Sequence, residues 1–255
     1  DMGYTFVEAA SYKDGLLYGT PPQQFRRDVE ATGMKVLSTH CTLNLSDKQL
    51  ATGDFTEALK WWDECIAAHK AAGVEYIVVP SMRRIETLDG LATYCRYFNE
   101  VGARCKAAGI KFGYHNHSRE FEKVEDRVML DYMLENTDPD KVFFQMDVYW
   151  TVMGQASPVD YFTKYPGRFR LLHIKDRREV GQSGMVGYDA IFRNAASRTP
   201  SEQMRRVPCG FRAYRPAQSR KPSSTRRCRT LTQLTNGRLM PSSNLIGHPS
   251  ALSSM

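Results

Sequence analysis

With 255 residues, 42% of them hydrophobic and 25% charged, the chain has the composition of an ordinary globular protein and a length that one α/β barrel can fill. No apolar run approaches the ~20 residues of a membrane span, and the first residues are not expected to be a secretory leader. The net charge of +7 does not mark a nucleic-acid binder, because residues 198–255 hold eleven Lys/Arg against one acid, Glu202, and leave 24 basic and 27 acidic residues in positions 1–197.

The opening DMGYTFVEAA reads as the end of a helix running straight into a strand, so a strand and helix are expected to be missing in front of it. From there to about residue 197 short β-branched or aromatic runs recur: YTFVEAA (4–10), MKVLSTH (34–40), EYIVVPSM (75–82), IKFGYHNH (110–117), VFFQMDVYW (142–150) and FRLLHIKD (169–176). Helical patterns separate them. Thr20 before Pro21 and Pro22 opens the first, and Gly33 closes it. FTEALKWWDECIAAHKAAG places Phe55, Leu59, Trp62, Ile66 and Ala67 on one face, and LATYCRYFNEVGARCKAAG repeats the scheme. Both end in AAG just before a strand, as βα units that return the chain to start a parallel strand. GYDAIFRNAA (187–196) reads as a further helix.

This alternation predicts a (β/α)8 barrel, incomplete at both ends; no GxGxxG follows a strand to support a dinucleotide fold. Barrel chemistry sits at the C-terminal ends of the strands, where Glu8, His40, Ser81, His115, His117, Asp147, His173 and Lys175 fall. Because residues two apart share a strand face, His115 and His117 point the same way, with Glu120 nearby. Gln145 and Tyr149 share the face of Asp147. His, Asp and Glu side chains from successive strands form a ligand set for Mn²⁺, Zn²⁺, Mg²⁺ or Co²⁺. A carboxylate in a run as apolar as VFFQMDVYW needs a metal, a basic partner or backbone donors. A strand histidine between Tyr114 and Asn116 is expected instead to be a hydrogen-bonded core or rim residue, so His115 is left out of the ligand set. His69 and His248 are expected to be solvated, and one of Trp61 and Trp62 to face outward.

The motifs YHNHxxEF, VFFQMDVYW and FRLLHIKD, in this order, resemble the sugar phosphate isomerase/epimerase group with a xylose-isomerase-like barrel. That superfamily also includes inosose dehydratase, ketose 3-epimerases and metal-dependent abasic-site endonucleases. The resemblance covers about residues 1–196. It implies one divalent ion held by a Glu near the fifth barrel strand, an Asp on the sixth, a His on the seventh and a Glu on the eighth. Carried over, the ligands are Glu120, Asp147 and His173, with no match for the last Glu. His40, His117 and Lys175 would line the sugar site, with Glu8 near its rim. The implied activity is isomerisation or epimerisation of a small sugar, sugar phosphate or cyclitol by proton transfer through an enediolate, with Glu120 as one acid/base. A dehydratase, an abasic-site hydrolase and an inactive carbohydrate-binding remnant are the alternatives. The mildly acidic body suits a DNA backbone poorly, so no nucleic-acid partner is expected of the barrel.

After Ala196 the periodicity stops. The Arg/Ser/Pro-rich remainder cannot bury a core and reads as a disordered tail or as out-of-frame translation of a gene whose proper frame encodes the last strand. An incomplete barrel leaves two unpaired sheet edges, which leaves a homo-oligomer open. Six cysteines without CxxC or framework spacing read as free thiols in a reducing compartment, which gives a cytoplasmic expectation.

Overall fold

The computed structural model describes residues 4–198. The basic tail, its out-of-frame reading, Glu202, His248, Cys209 and Cys228 lie outside the described residues.

The strand β1 (Phe6–Ala9) leads through a two-residue hairpin, Tyr12–Lys13 with Leu16–Leu17, into helix α1 (Pro22–Glu30). Then follow β2 (Lys35–His40), α2 (Asp47–Thr52), α3 (Thr56–Ala71), β3 (Tyr76–Val79), α4 (Leu88–Ala107) and β4 (Lys111–His115). A 3₁₀ turn (Ser118–Phe121) and a small hairpin (Lys123–Val124 with Arg127–Val128) precede α5 (Met129–Asn136) and β5 (Val142–Asp147). The last elements are α6 (Val148–Met153), α7 (Pro158–Lys164), β6 (Phe169–His173) and α8 (Tyr188–Arg198). The six strands β1 to β6 pair in sequence order, every pair parallel. Helices return the chain each time, as in an incomplete (β/α)8 barrel.

The local signals explain most boundaries. Pro22 sits in the first turn of α1, where its missing N–H costs nothing. Ser46 and Gln49 form a reciprocal capping box on α2, and Thr87 caps α4 through Gly90 N–H. Both AAG endings place glycine in the left-handed region, Gly73 at φ 75° and Gly109 at φ 80°, which stops the helix and aims the chain at the next strand.

The two faces of the sheet bury different things. Outward-facing side chains such as Ile77, Val79, Phe112, Tyr114, Phe144 and Leu172 join the helices in the main core. Inward-facing Leu37, Tyr76, Val78, Phe143 and Leu171 form a separate small cluster, with Phe6 against it. Gly113 faces the same interior, and a Cβ there would lie 2.7 Å from the Phe143 ring, so the glycine makes room for that ring. The interior is thus an apolar floor, and the next layer toward the strand ends is polar.

Several expectations need correcting. Strand β4 stops at His115 and β5 at Asp147, so His117 is not on a strand beside His115, and Tyr149 belongs to α6. His69 is fully buried, not solvated: its Nδ1 lies 2.7 Å from Cys65 O, one helical turn back, and its ring packs 4.8 Å from that of Tyr12. Trp62 is the buried tryptophan, donating to Tyr97 Oη, while Trp61 is partly buried against Tyr12. The four described cysteines are free and buried. Among the described residues no helix is long and apolar enough to cross a membrane.

Candidate metal centre

The polar layer follows the two-residue period of the strands, except on β2, where a register shift opposite Val7 and Glu8 lets both Leu37 and His40 face inward. Inward-facing residues above the apolar floor are Glu8 on β1, His40 on β2, His115 on β4, Gln145 and Asp147 on β5, and His173 on β6. The parallel register pairs His115 with Gln145, and Asp147 with His173. Neighbouring strands therefore deliver His115, Asp147 and His173 to one place, each offering one ligand atom within 4.8 Å of the others.

Asp147 is held from three directions. It closes β5 and caps α6, its Oδ1 accepting from Trp150 N–H at 2.9 Å. Its own N–H donates to Asn116 Oδ1, and Asn116 Nδ2 reaches Asp147 O and Thr151 Oγ1. Asn116 faces away from His115, as alternation requires, and acts as a peg between strand ends. What remains is Oδ2, completely buried, with no hydrogen-bond partner among the described residues, 3.6 Å from both His115 Nε2 and His173 Nδ1. His173 Nδ1 is likewise a buried nitrogen without a partner.

Burial disfavours charge on all three groups. It pushes the Asp147 carboxyl up to about 7 and His173 down to about 4. His115 is held well below the ordinary imidazole value by burial and by its histidine neighbours. Two neutral imidazoles and a carboxyl that ionises near neutrality are a nitrogen–oxygen donor set in the protonation states a divalent cation requires. The two orphaned atoms lie 3.6 Å apart, and the third donor, His115 Nε2, is 3.6 Å from Asp147 Oδ2. These residues fit a divalent ion.

Glu120, expected as ligand and acid/base, is not brought into this cluster. The turn Ser118–Phe121 folds it behind the sheet, where Oε1 accepts from Tyr114 Oη–H at 2.7 Å and from Arg119 Nε–H, and Oε2 accepts from His117 N–H at 2.7 Å. Tyr114 precedes His115 and so points to the opposite face, and Glu120 follows it. Arg119, which also donates to Met82 O, completes a buried tie that fixes the loop after β4.

The remaining predicted residues lie around the centre in two groups. Glu8 Oε1 and His40 Nε2 are 3.1 Å apart, and Glu8 Oε2 accepts from Ser38 Oγ–H and from Gln145 Nε2–H. Burial alone would raise Glu8, but His40, Ser38 and the more distant His173 together hold its carboxyl well below the usual range. The same carboxylate raises His40 against the opposing effect of burial. Each partner thus favours the charged form of the other. On the other side, the His117 and Trp150 rings are 5.7 Å apart, and Lys175 Nζ stands 5.5 Å from the Tyr149 ring and 5.7 Å from Trp150. His117, Tyr149, Trp150 and Lys175 are all partly exposed. They form a basic, aromatic shelf beside the cluster.

The model for the xylose isomerase-like TIM barrel matches residues 1–199. The chain belongs to that family. An inosose dehydratase from Geobacillus kaustophilus (strain HTA426) is 32% identical over 201 residues, 70% of this chain and 59% of that protein. One from Lacticaseibacillus casei is 30% identical over 79 residues, 31% of this chain. The chain thus spans between 26% and 59% of the length of these curated relatives. Among solved structures, a sugar phosphate isomerase/epimerase from Parabacteroides distasonis ATCC 8503 superposes with a TM-score of 0.70 at 36% identity, covering 78% of this chain and 74% of that one.

Proposed function

We infer that this family member is a divalent-metal-dependent enzyme that moves a proton beside the carbonyl of a small sugar, sugar phosphate or cyclitol, as an isomerase or epimerase. The observation that carries the reading is the pair of buried atoms without partners, Asp147 Oδ2 and His173 Nδ1, turned toward His115 Nε2. His115, Asp147 and His173 would hold the ion. A bound divalent cation supplies Lewis-acid stabilisation of the negative charge that develops when a proton leaves carbon next to a carbonyl.

The chain's own residues supply the rest. The Trp150 and Tyr149 rings offer an apolar face for the C–H side of a sugar ring, and Lys175 and His117 offer polar contacts for its hydroxyls. His40, kept protonated by Glu8, carries a second N–H at Nδ1 and is the candidate proton donor. His117, held toward its neutral form by burial, is the candidate acceptor. The same groups would serve loss of a hydroxyl beside the carbonyl, and the likeness to inosose dehydratases favours dehydration as the second reading.

The test is metal content by mass spectrometry, followed by turnover of ketoses, ketose phosphates and inososes. One bound divalent ion and exchange of a solvent deuteron into a ketose are expected. Release of an unsaturated product from an inosose supports the second reading. A chain that binds no divalent ion and turns over no member of the panel refutes both.

A further inference from the structure

We propose that Gln145 is a positioning residue that fixes which nitrogen of His115 carries the proton, presenting the Nε2 lone pair to the metal centre. The inference rests on the metal reading above. Its basis is a chain of hydrogen bonds in which every donor and acceptor is decided by its neighbour.

The chain starts at Glu8. Its carboxylate Oε2 accepts from Ser38 Oγ–H and faces the Gln145 carboxamide at 2.8 Å. A carboxylate only accepts, so the amide must present its NH₂ there; the flipped amide would set oxygen against oxygen at that distance. With the NH₂ so placed, Gln145 Oε1 faces two imidazoles, His115 Nδ1 at 2.8 Å and His40 Nε2 at 2.9 Å. An amide oxygen accepts only, so both nitrogens must carry hydrogen. His40 Nε2 meets the same demand independently, because its other neighbour at 3.1 Å is Glu8 Oε1. A neutral His115 protonated on Nδ1 has its lone pair on Nε2, the atom 3.6 Å from Asp147 Oδ2.

The alternative is close at hand. Without Gln145, Nδ1 loses its amide acceptor, and the Asp147 carboxylate 3.6 Å from Nε2 would draw the proton to that nitrogen. That tautomer aims an N–H where a cation has to sit. The 2.8 Å bond to a fixed amide outweighs a 3.6 Å approach, and the relay to Ser38 and Glu8 keeps the amide from turning. All the groups involved except His40 are buried, so water does not compete for the amide. Glu8 and Gln145 thus act through His115, not on substrate.

The experiment uses the full chain with ¹⁵N-labelled histidine, free of metal, and reads the tautomer from two-bond ¹H–¹⁵N correlations, with His115→Asn to assign the signal. The wild type is expected to show His115 protonated on Nδ1. Gln145→Met is expected to move the proton toward Nε2 and to weaken Mn²⁺ or Zn²⁺ binding roughly 10- to 100-fold. Glu8→Gln, which removes the acceptor that orients the amide but none of the proposed ligands, is expected to give a mixture of tautomers. A wild-type His115 protonated on Nε2 overturns the proposal, and this arm needs no variant to fold. So does a Gln145→Met protein with the wild-type tautomer and cation affinity within about twofold. A wild type that binds neither cation overturns the metal reading, while the spectrum still decides the tautomer.

Discussion

Replacing Asp147 by asparagine should make the metal-free protein more stable. Asp147 is fully buried and its carboxyl is pushed up to about 7 by burial. Between the ordinary carboxylate value and 7 the folded chain therefore holds a proton that the unfolded chain has released, so stability falls as pH rises through this interval. At ~1.4 kcal/mol for each pH unit, the gap from about 4 to about 7 corresponds to at most roughly 4 kcal/mol lost at pH 8. Asparagine removes the charge and keeps the cap, since its Oδ1 still accepts from Trp150 N–H. Its Nδ2 replaces Oδ2 and faces His115 Nε2 and His173 Nδ1, both able to accept. The assay is urea and thermal unfolding in EDTA from pH 4 to 8. At pH 8 Asp147→Asn should gain up to about 4 kcal/mol, a rise in Tm on the order of 10 °C for a chain this size, and the gain should vanish toward pH 4. In excess Mn²⁺ or Zn²⁺ the order should reverse. A variant less stable than wild type in EDTA at every pH would refute the reasoning.

Other substitutions separate the roles of neighbouring residues. His115→Ala should lower divalent-cation affinity at least tenfold by titration calorimetry, whereas Glu120→Gln should leave it within about twofold. Glu120→Gln should instead cost about 1–3 kcal/mol in urea unfolding, because an amide cannot accept from all three donors that the buried carboxylate satisfies. Glu8, held low, contributes stability that is full above the ordinary carboxylate value and fades as pH falls. His40, held high, contributes below the ordinary imidazole value and fades as pH rises. The penalty of Glu8→Gln should therefore peak between about pH 4.5 and 6.5, measured from unfolding midpoints across that range. Gly113→Ala drives a methyl group into the Phe143 ring and should cost about 1–3 kcal/mol.

The fold was legible because its signals are local. Apolar runs, capping residues and the two AAG endings each state an element without reference to the rest, and their alternation leaves few architectures. The positions of Asp147 and His173 at strand ends were legible for a related reason: polar residues ending apolar strands stand out against the run they close. The structure does not bring Glu120 into the cluster of His115, Asp147 and His173, although it is close to His115 along the chain. A signal was present, since His117 and Glu120 stand at the spacing of an N-cap and its third helical residue, a pattern that turns the glutamate back onto the backbone. His115 was set aside for its neighbours Tyr114 and Asn116, yet alternation from Gly113 already placed it on the interior face. The burial of His69 depends on Tyr12, 57 residues away, and nothing local announces it. The sequence places Gln145 on the face of Asp147 and says no more; its proposed role needs Glu8 and His115, which two other strands deliver.

Charge accounting in the polar layer explains why these side chains form a site and not merely a buried network. Glu8 and His40 neutralise each other, with Ser38 and Gln145 filling the remaining acceptor positions of the carboxylate. Asp147 has no such answer. The imidazoles beside it are too desolvated to take up a proton near neutral pH, and the Lys175 ammonium stands over the Tyr149 and Trp150 rings at the mouth. An ionised Asp147 is thus a buried negative charge beside two lone pairs, over a floor of Leu37, Val78, Phe143 and Leu171 that offers no dipoles. The Trp150 N–H meets Oδ1 alone, and a proton or a cation at Oδ2 would relieve the rest. A proton does so below about pH 7, and above that value the ionised carboxylate costs stability that positive charge near Asp147 Oδ2, His115 Nε2 and His173 Nδ1 would restore. The network around Glu120 closes on itself, whereas Asp147 Oδ2 and His173 Nδ1 are left without hydrogen-bond partners among the described residues.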